Sequence, residues 1–67
     1  MTVNDILSNT EDTQKIGITR KIGYSMKDYI FFDKAELLPY KYYKQHVVKF
    51  YSDYFPITGS FIGIVIS

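Results

Sequence analysis

The stretch from Ile57 to Ser67 constrains this chain more than any other. It is rich in β-branched residues, carries no charge and contains no proline. Ile62, Ile64 and Ile66 alternate along it, which is the period of a strand with one face turned inward. Left at the edge of a sheet, such a segment would template pairing with other chains. Either it lies in the middle of a sheet, or its edge pairs with a second copy, which would make the protein a homodimer. Size sharpens the question. A chain of 67 residues is one domain and buries only about 60% of the surface its unfolded form exposes. Domains this small gain stability from disulfides, metals or association. There is no cysteine, and a single histidine, His46, cannot by itself build a structural zinc site.

Apolar residues make up 46% of the chain and aromatics 18%, a globular composition with an aromatic excess. The formal charge is +1, which gives no general attraction to nucleic acid. Charge is unevenly spread, with Asp5, Glu11 and Asp12 near the start and Lys15, Arg20, Lys21 and Lys27 after them. The N-terminus lacks the basic start and apolar run of a secretion signal. The uncharged stretch Tyr54–Ser67 is 14 residues long, short of the roughly 20 apolar residues a spanning helix needs. A soluble, cytoplasmic protein with no membrane partner is expected, and the lack of cysteine agrees with a reducing compartment.

Along the chain, Thr2 followed by Asp5 resembles a capping box, and Val3, Ile6 and Leu7 share one helical face, predicting a helix over residues 3–9. Ile16, Ile18 and Ile22 predict a first strand, with a turn from Gly23 to Lys27. A second strand is expected from Tyr29 to Asp33, with Ile30 and Phe32 inward. Pro39 forbids a continuous helix after Lys34, so an irregular crossover follows, with Leu37 and Leu38 plugging the core. Gln45–Asp53 reads as the third strand, with Val48 and Phe50 inward and Val47, Lys49 and Tyr51 outward. Ser60–Ile66 is the fourth. The expected architecture is α+β: a short N-terminal helix packed on a four-stranded, mostly antiparallel sheet. Its core would hold Val3, Ile6, Leu7, Ile16, Ile18, Ile30, Phe32, Leu38, Val48, Phe50, Ile62 and Ile64.

No catalytic set emerges. His46 lacks an orienting acid and a nucleophile beside it. Asp28 and Asp33 have opposite parity at opposite ends of one strand, and Glu36 lies beyond it, so they read as solvated acids. Gly59 and Gly63 lack the Lys-Ser/Thr pair of a phosphate loop. A non-enzymatic protein without a cofactor or metal is expected.

The densest functional signal is Pro39–Phe55, which holds five of the seven tyrosines. Tyr40, Lys41, Tyr42, Tyr43 and Lys44, with Lys49 and Tyr51 further on, form the candidate partner-binding set. Tyrosine offers large apolar area with a hydroxyl that tolerates water, and it is enriched at protein hot spots. The same composition suits single-stranded nucleic acid, where rings stack on bases and lysines hold phosphates. For that alternative the candidates are Arg20, Lys21, Lys41, Lys44 and Lys49. It also suits plain packing of the rings over the crossover.

Several segments carry a resemblance. Val3-Asn4-Asp5-Ile6-Leu7 opens the chain, Lys15-Ile16-Gly17-Ile18 and Tyr29-Ile30-Phe31-Phe32 follow, and Ala35-Glu36-Leu37-Leu38-Pro39 with Tyr42 or Tyr43 forms the crossover. Val47-Val48-Lys49-Phe50 and Ile62-Gly63-Ile64-Val65-Ile66 close it. In this order of elements the chain resembles small proteins encoded by phages and prophages of Gram-positive bacteria. That resemblance implies a role by contact. By analogy with anti-CRISPR proteins, the expected function is stoichiometric inhibition of a host defence nuclease by occlusion. The alternative is a single-stranded nucleic-acid-binding accessory protein.

Overall fold

The computed structural model describes residues 1–21 and 26–67. Helix α1 (Val3–Leu7) leads to strand β1 (Lys15–Thr19) and then to strand β2 (Phe31–Lys34). Two 3₁₀ turns, Ala35–Leu37 and Tyr40–Tyr42, form a crossover to the hairpin of strands β3 (Val47–Phe55) and β4 (Gly59–Ile66). A further 3₁₀ turn, Met26–Asp28, precedes β2. The expected inward Ile22 and the start of the turn at Gly23 lie outside the described residues.

The sheet order is β2-β1-β4-β3. Both hairpins are antiparallel, but β1 and β4 run parallel at the centre. The sheet is thus mixed, where a mostly antiparallel one was expected. The cause is the crossover, which leaves β2 at one edge and delivers the chain to the opposite edge. The second hairpin then folds inward and lays β4 against β1. β4 pairs with β3 over Gly59–Ile66 and with β1 over Ile62–Val65, so both sides of its isoleucine-rich part are occupied within the chain, and the expectation of a second copy docked on that edge loses its basis. Five of its eight residues, Phe61 and Gly63–Ile66, show why the centre suits it: β4 is buried on both faces over most of its length.

The backbone groups at both ends of α1 find partners outside a continuing helix. The Thr2 N–H donates to Asp5 Oδ2 at 2.8 Å, and the Asp5 N–H returns to the Thr2 carbonyl at 3.0 Å. The first helical N–H groups, of Val3 and Asn4, donate to the carbonyls of Gln45 and Tyr43. Four orphan donors open every helix, so the crossover backbone serves as part of the cap. At the other end Ser8 Oγ, Asn9 Nδ2 and Thr10 Oγ1 donate to carbonyls of Asp5 and Ile6. Those side chains take over the acceptors that a continuing helix would have used.

One face of the sheet carries α1 and the crossover. Its core holds Val3, Ile6, Ile16, Ile18, Ala35, Leu38, Val47, Ile64 and Ile66, with Leu7, Phe31 and Ile62 half-buried against it. The other face is covered by the sheet's own aromatics. Tyr29, Phe32, Phe55 and Phe61 pack edge-on and stacked, with ring centroids 4.8 to 6.4 Å apart. A row across the sheet reads Phe32–Gly17–Gly63–Tyr51 in register. The paired glycines make a flat trough in which the Tyr29 and Tyr51 rings lie. An added Cβ at Gly17 would come within 2.7 Å of the Tyr29 ring.

Several expected core positions are corrected. Ile30 is 50% exposed, because β2 begins two residues later than expected, at Phe31, and Tyr29 takes the buried place. Phe31 faces the helix side, and Phe32 joins the opposite aromatic layer. In β3 a bulge falls between Val47 and Lys49. It consumes Val48, which is 64% exposed, and turns Val47 into the core in its place. Phe50 does lie on the helix side, opposite Ile64, yet it is 52% exposed because α1 ends before reaching it. Leu37 points to solvent while Leu38 alone plugs the core.

Candidate functional site

The crossover positions its tyrosines unequally. Pro39 caps the turn Tyr40–Tyr42, whose 3₁₀ geometry sets residues three apart on one side. Tyr40 and Tyr43 therefore stack, with centroids 4.8 Å apart and planes inclined by 24°. Tyr43 and Tyr42 are half-buried and packed against the core cluster, whereas Tyr40 is 78% exposed. Lys41 Nζ sits 5.3 Å from the centre of the Tyr42 ring, a cation–π distance. Lys41 and Lys44 are exposed. The result is one solvent-facing ring held against a second ring that is itself anchored in the core.

Lys49 and Tyr51 stand apart from this set. They share the sheet face of Gly63, opposite the face that α1 and the crossover cover. The Tyr51 ring lies over Gly63, and its hydroxyl shares a hydrogen bond of 2.6 Å with that of Tyr29. Burial and this bond push the Tyr29 phenol well above its ordinary value. The fold brings together Tyr40, Lys41, Tyr42, Tyr43 and Lys44 and separates Lys49 and Tyr51 from them.

Beside α1 lies a groove of about 270 Å³, lined by Met1, Asp5, Ile6, Asn9, Thr10, Phe50, Ser52 and Ile62. Its origin is a mismatch of lengths. The five residues of α1 span about 7.5 Å, and the nine of β3 span about 30 Å. The helix covers β4 and leaves the outer strand bare. Sequence reasoning missed this groove, although the early stop at Ser8-Asn9-Thr10 beside a long third strand was a visible signal.

Topology also sorts the charges. Arg20 Nη1 donates to the main-chain oxygen of Ser67 at 2.7 Å, and the Ser67 N–H donates to the carbonyl of His46. Thr19 and Lys49 both stand opposite Val65, and Thr19 Oγ1 lies within hydrogen-bond distance of the Asp28 carbonyl. Arg20, Lys21, Lys27, Lys44, His46 and Lys49 thus gather at one end of the sheet, with Asp28 as the local acid. Glu11, Asp12, Asp33 and Glu36 lie toward the opposite end, where the Glu36 N–H meets the Asp12 carbonyl, Asp33 pairs with Ile16 and the two bases Lys15 and Lys34 stand opposite each other, so that end is mixed in charge. His46 is exposed, and its backbone bridges to Thr2. Among the described residues no three His, Cys, Asp or Glu side chains are grouped to hold a metal ion, and no helix is long and apolar enough to cross a membrane. No protein family matches this chain, and neither does any curated protein or solved structure.

Proposed function

We propose that this chain is a non-enzymatic binding protein that acts by covering a functional surface of a protein partner. The observation that carries this reading is the Tyr40–Tyr43 stack. An exposed ring normally loses rotamer freedom when a partner immobilises it, at about 0.5–1.5 kcal/mol for each ordered side chain. Here Tyr43 is held by the core and Tyr40 is held by Tyr43, so much of that ordering precedes contact. Rigid tyrosines are the anchors that protein interfaces favour, and the lysines beside them suit the polar rim. In this reading Tyr40, Lys41 and Lys44 make the contact, and Tyr42 and Tyr43 are its footing.

The resemblance in element order to phage and prophage proteins extends the proposal to a partner class, a host defence nuclease inhibited at a fixed stoichiometry. The test titrates the chain and its Tyr40→Ala variant against a panel of RNA-guided nucleases. Inhibition that saturates at a constant molar ratio and weakens at least tenfold in the variant is the expected result. Equal inhibition by both proteins would overturn the assigned surface, and none by either would overturn the partner class.

The clustered bases favour a second reading, binding of single-stranded nucleic acid at the end of the sheet that carries Arg20, Lys21, Lys44 and Lys49. Lys41 would add to this set from the crossover. Phosphate binding through several lysines makes affinity fall steeply with salt. A fluorescent oligonucleotide titrated at two salt concentrations separates the readings, because a protein-only surface gives no salt-dependent shift.

A further inference from the structure

The strand that ends the sheet is β3, and its outer edge is largely open. Only its start is covered: the Val47 N–H donates to the Met1 carbonyl at 2.9 Å, and Thr2 bridges to His46. From Lys49 to Phe55, among the described residues, the sole sheet neighbour is β4 on the inner side. The opposite edge of the sheet, β2, is only four residues long and carries Asp33 and Lys34. β3 is nine residues long, has no proline within it, and presents Phe50 and Tyr54 exposed on its helix side. Edge strands of this length and character are the ones that accept another strand.

We propose that β3 pairs antiparallel with β3 of a second copy, in the register that places Tyr51 opposite Tyr51. The charge pattern selects both the partner and the register. Lys49, Tyr51 and Asp53 share one face of the strand. Lys49 and Asp53 are four residues apart, about 13 Å along an extended chain, beyond the reach of a mutual ion pair. Only an antiparallel copy centred on Tyr51 sets Lys49 against Asp53 of the second copy, twice, about a twofold axis. On the helix side the same register sets Phe50 against Ser52. A shift of two residues toward the hairpin turn puts Lys49 opposite Phe55 and Tyr51 opposite Asp53. The proposed pairing runs from Val48 to Tyr54 and stops there, because Met1 already covers Val47, which lies opposite Phe55 in this register; a shift the other way brings Asp53 itself against Met1 and Thr2 and shortens the pairing further. Parallel pairing in register puts Lys49 beside Lys49. A closed, isologous contact of this kind joins two four-stranded sheets into one of eight strands, covers both long β3 edges and leaves only the short β2 strands at the ends. It leaves the Tyr40 surface unused, so each dimer presents two copies of it.

Sedimentation equilibrium over a concentration series reads the association of the full chain. Lys49→Glu and Asp53→Lys each set like charges opposite one another, and each single variant is expected to weaken the dimer by about tenfold or more. The double variant Lys49→Glu/Asp53→Lys restores complementarity and is expected to restore association. Both positions are exposed, and circular dichroism checks that the fold is kept. A chain that stays monomeric up to about 1 mM overturns the proposal. A dimer indifferent to the single charge reversals overturns it as well, since that dimer uses another surface. Weakening without rescue in the double variant overturns the register.

Discussion

Tyr29 and Tyr51, 22 residues apart, share a hydroxyl–hydroxyl hydrogen bond of 2.6 Å above a pair of glycines. Gly17 and Gly63 stand opposite each other on the parallel strands β1 and β4, and neither has a side chain to fill the space above it. Each glycine accepts a tyrosine ring lying flat against its backbone. This arrangement replaces the second helical layer that a longer chain would use. A sheet with only one short helix must cover its far face somehow, and here edge aromatics fold inward over the central strands.

The first prediction follows from that contact. In Gly63→Ala the new Cβ would meet the Tyr51 ring at 2.5 Å and its hydroxyl at 2.8 Å, and in Gly17→Ala it would meet the Tyr29 ring at 2.7 Å. Each substitution forces a ring to move, and overpacking of this kind costs about 1–3 kcal/mol. Gly59→Ala is a different case. Nothing lies within 4 Å of the added carbon, but φ is +83°, and a left-handed residue with a Cβ costs about 1–2 kcal/mol. Urea unfolding separates them: the first two should also change tyrosine fluorescence in the native state, and Gly59→Ala should not. Native spectra unchanged by Gly63→Ala would mean that the Tyr51 ring does not lie on that backbone.

A second prediction concerns alkaline pH. Burial, followed by the bond to Tyr51, raises the Tyr29 phenol above its ordinary value of 10.0. The folded protein therefore holds this proton at pH values where the unfolded chain loses it. The corresponding stability is fully present below pH 10 and drains away as pH rises above it. Tyr29→Phe should lower stability at neutral pH by about 1 kcal/mol, the net worth of one hydrogen bond, and should flatten the alkaline limb. An alkaline limb of equal slope in both proteins would assign the titration elsewhere.

At acid pH the helix cap is the sensitive element. The Asp5 carboxyl accepts the Thr2 N–H, which holds it below its ordinary value of 3.8. A carboxylate lowered in the fold contributes stability above its unfolded pKa, and that contribution disappears as pH falls through the folded one. Asp5→Asn removes the titration while keeping the shape. Its denaturation midpoint should vary less with pH below about 4 than that of the parent chain. Parallel acid limbs would show that the cap makes no charged contribution.

Local chemistry made much of this fold legible. Thr2 and Asp5 marked the helix start, Pro39 marked a broken crossover, and alternation of isoleucines marked β1 and β4. Non-local choices were not legible. Nothing within Ile57–Ser67 says whether its neighbour is β1 or another chain, since either pairing satisfies the same backbone groups. Pairing direction in the centre depends on where the crossover delivers the chain. The candidate site was half legible for the same reason. Tyr40, Tyr42 and Tyr43 are neighbours through one 3₁₀ turn, a local matter, whereas Tyr51 belongs to the other face because of the strand in which it sits. The groove beside α1 depends on how far a five-residue helix reaches over a nine-residue strand, which requires knowing that the two pack together.

The bulge in β3 offers the sharpest comparison, because it distinguishes two adjacent and chemically identical residues. Strict alternation, with Phe50 and Val48 on one face, buries Val48 and exposes Val47. In the fold Val47 pairs with Ile66 and Lys49 with Val65, so Val48 drops out of the ladder and Val47 enters the core. Val47→Ala should cost about 1.5–3 kcal/mol, the loss of two buried methyl groups and the space they leave. Val48→Ala should change stability by no more than about 0.5 kcal/mol, as exposed substitutions do. Thermal or urea unfolding of the two variants decides between the registers. Should Val48→Ala prove the costlier change, β3 would follow unbroken alternation, with Val48 in the core and Val47 turned out of it.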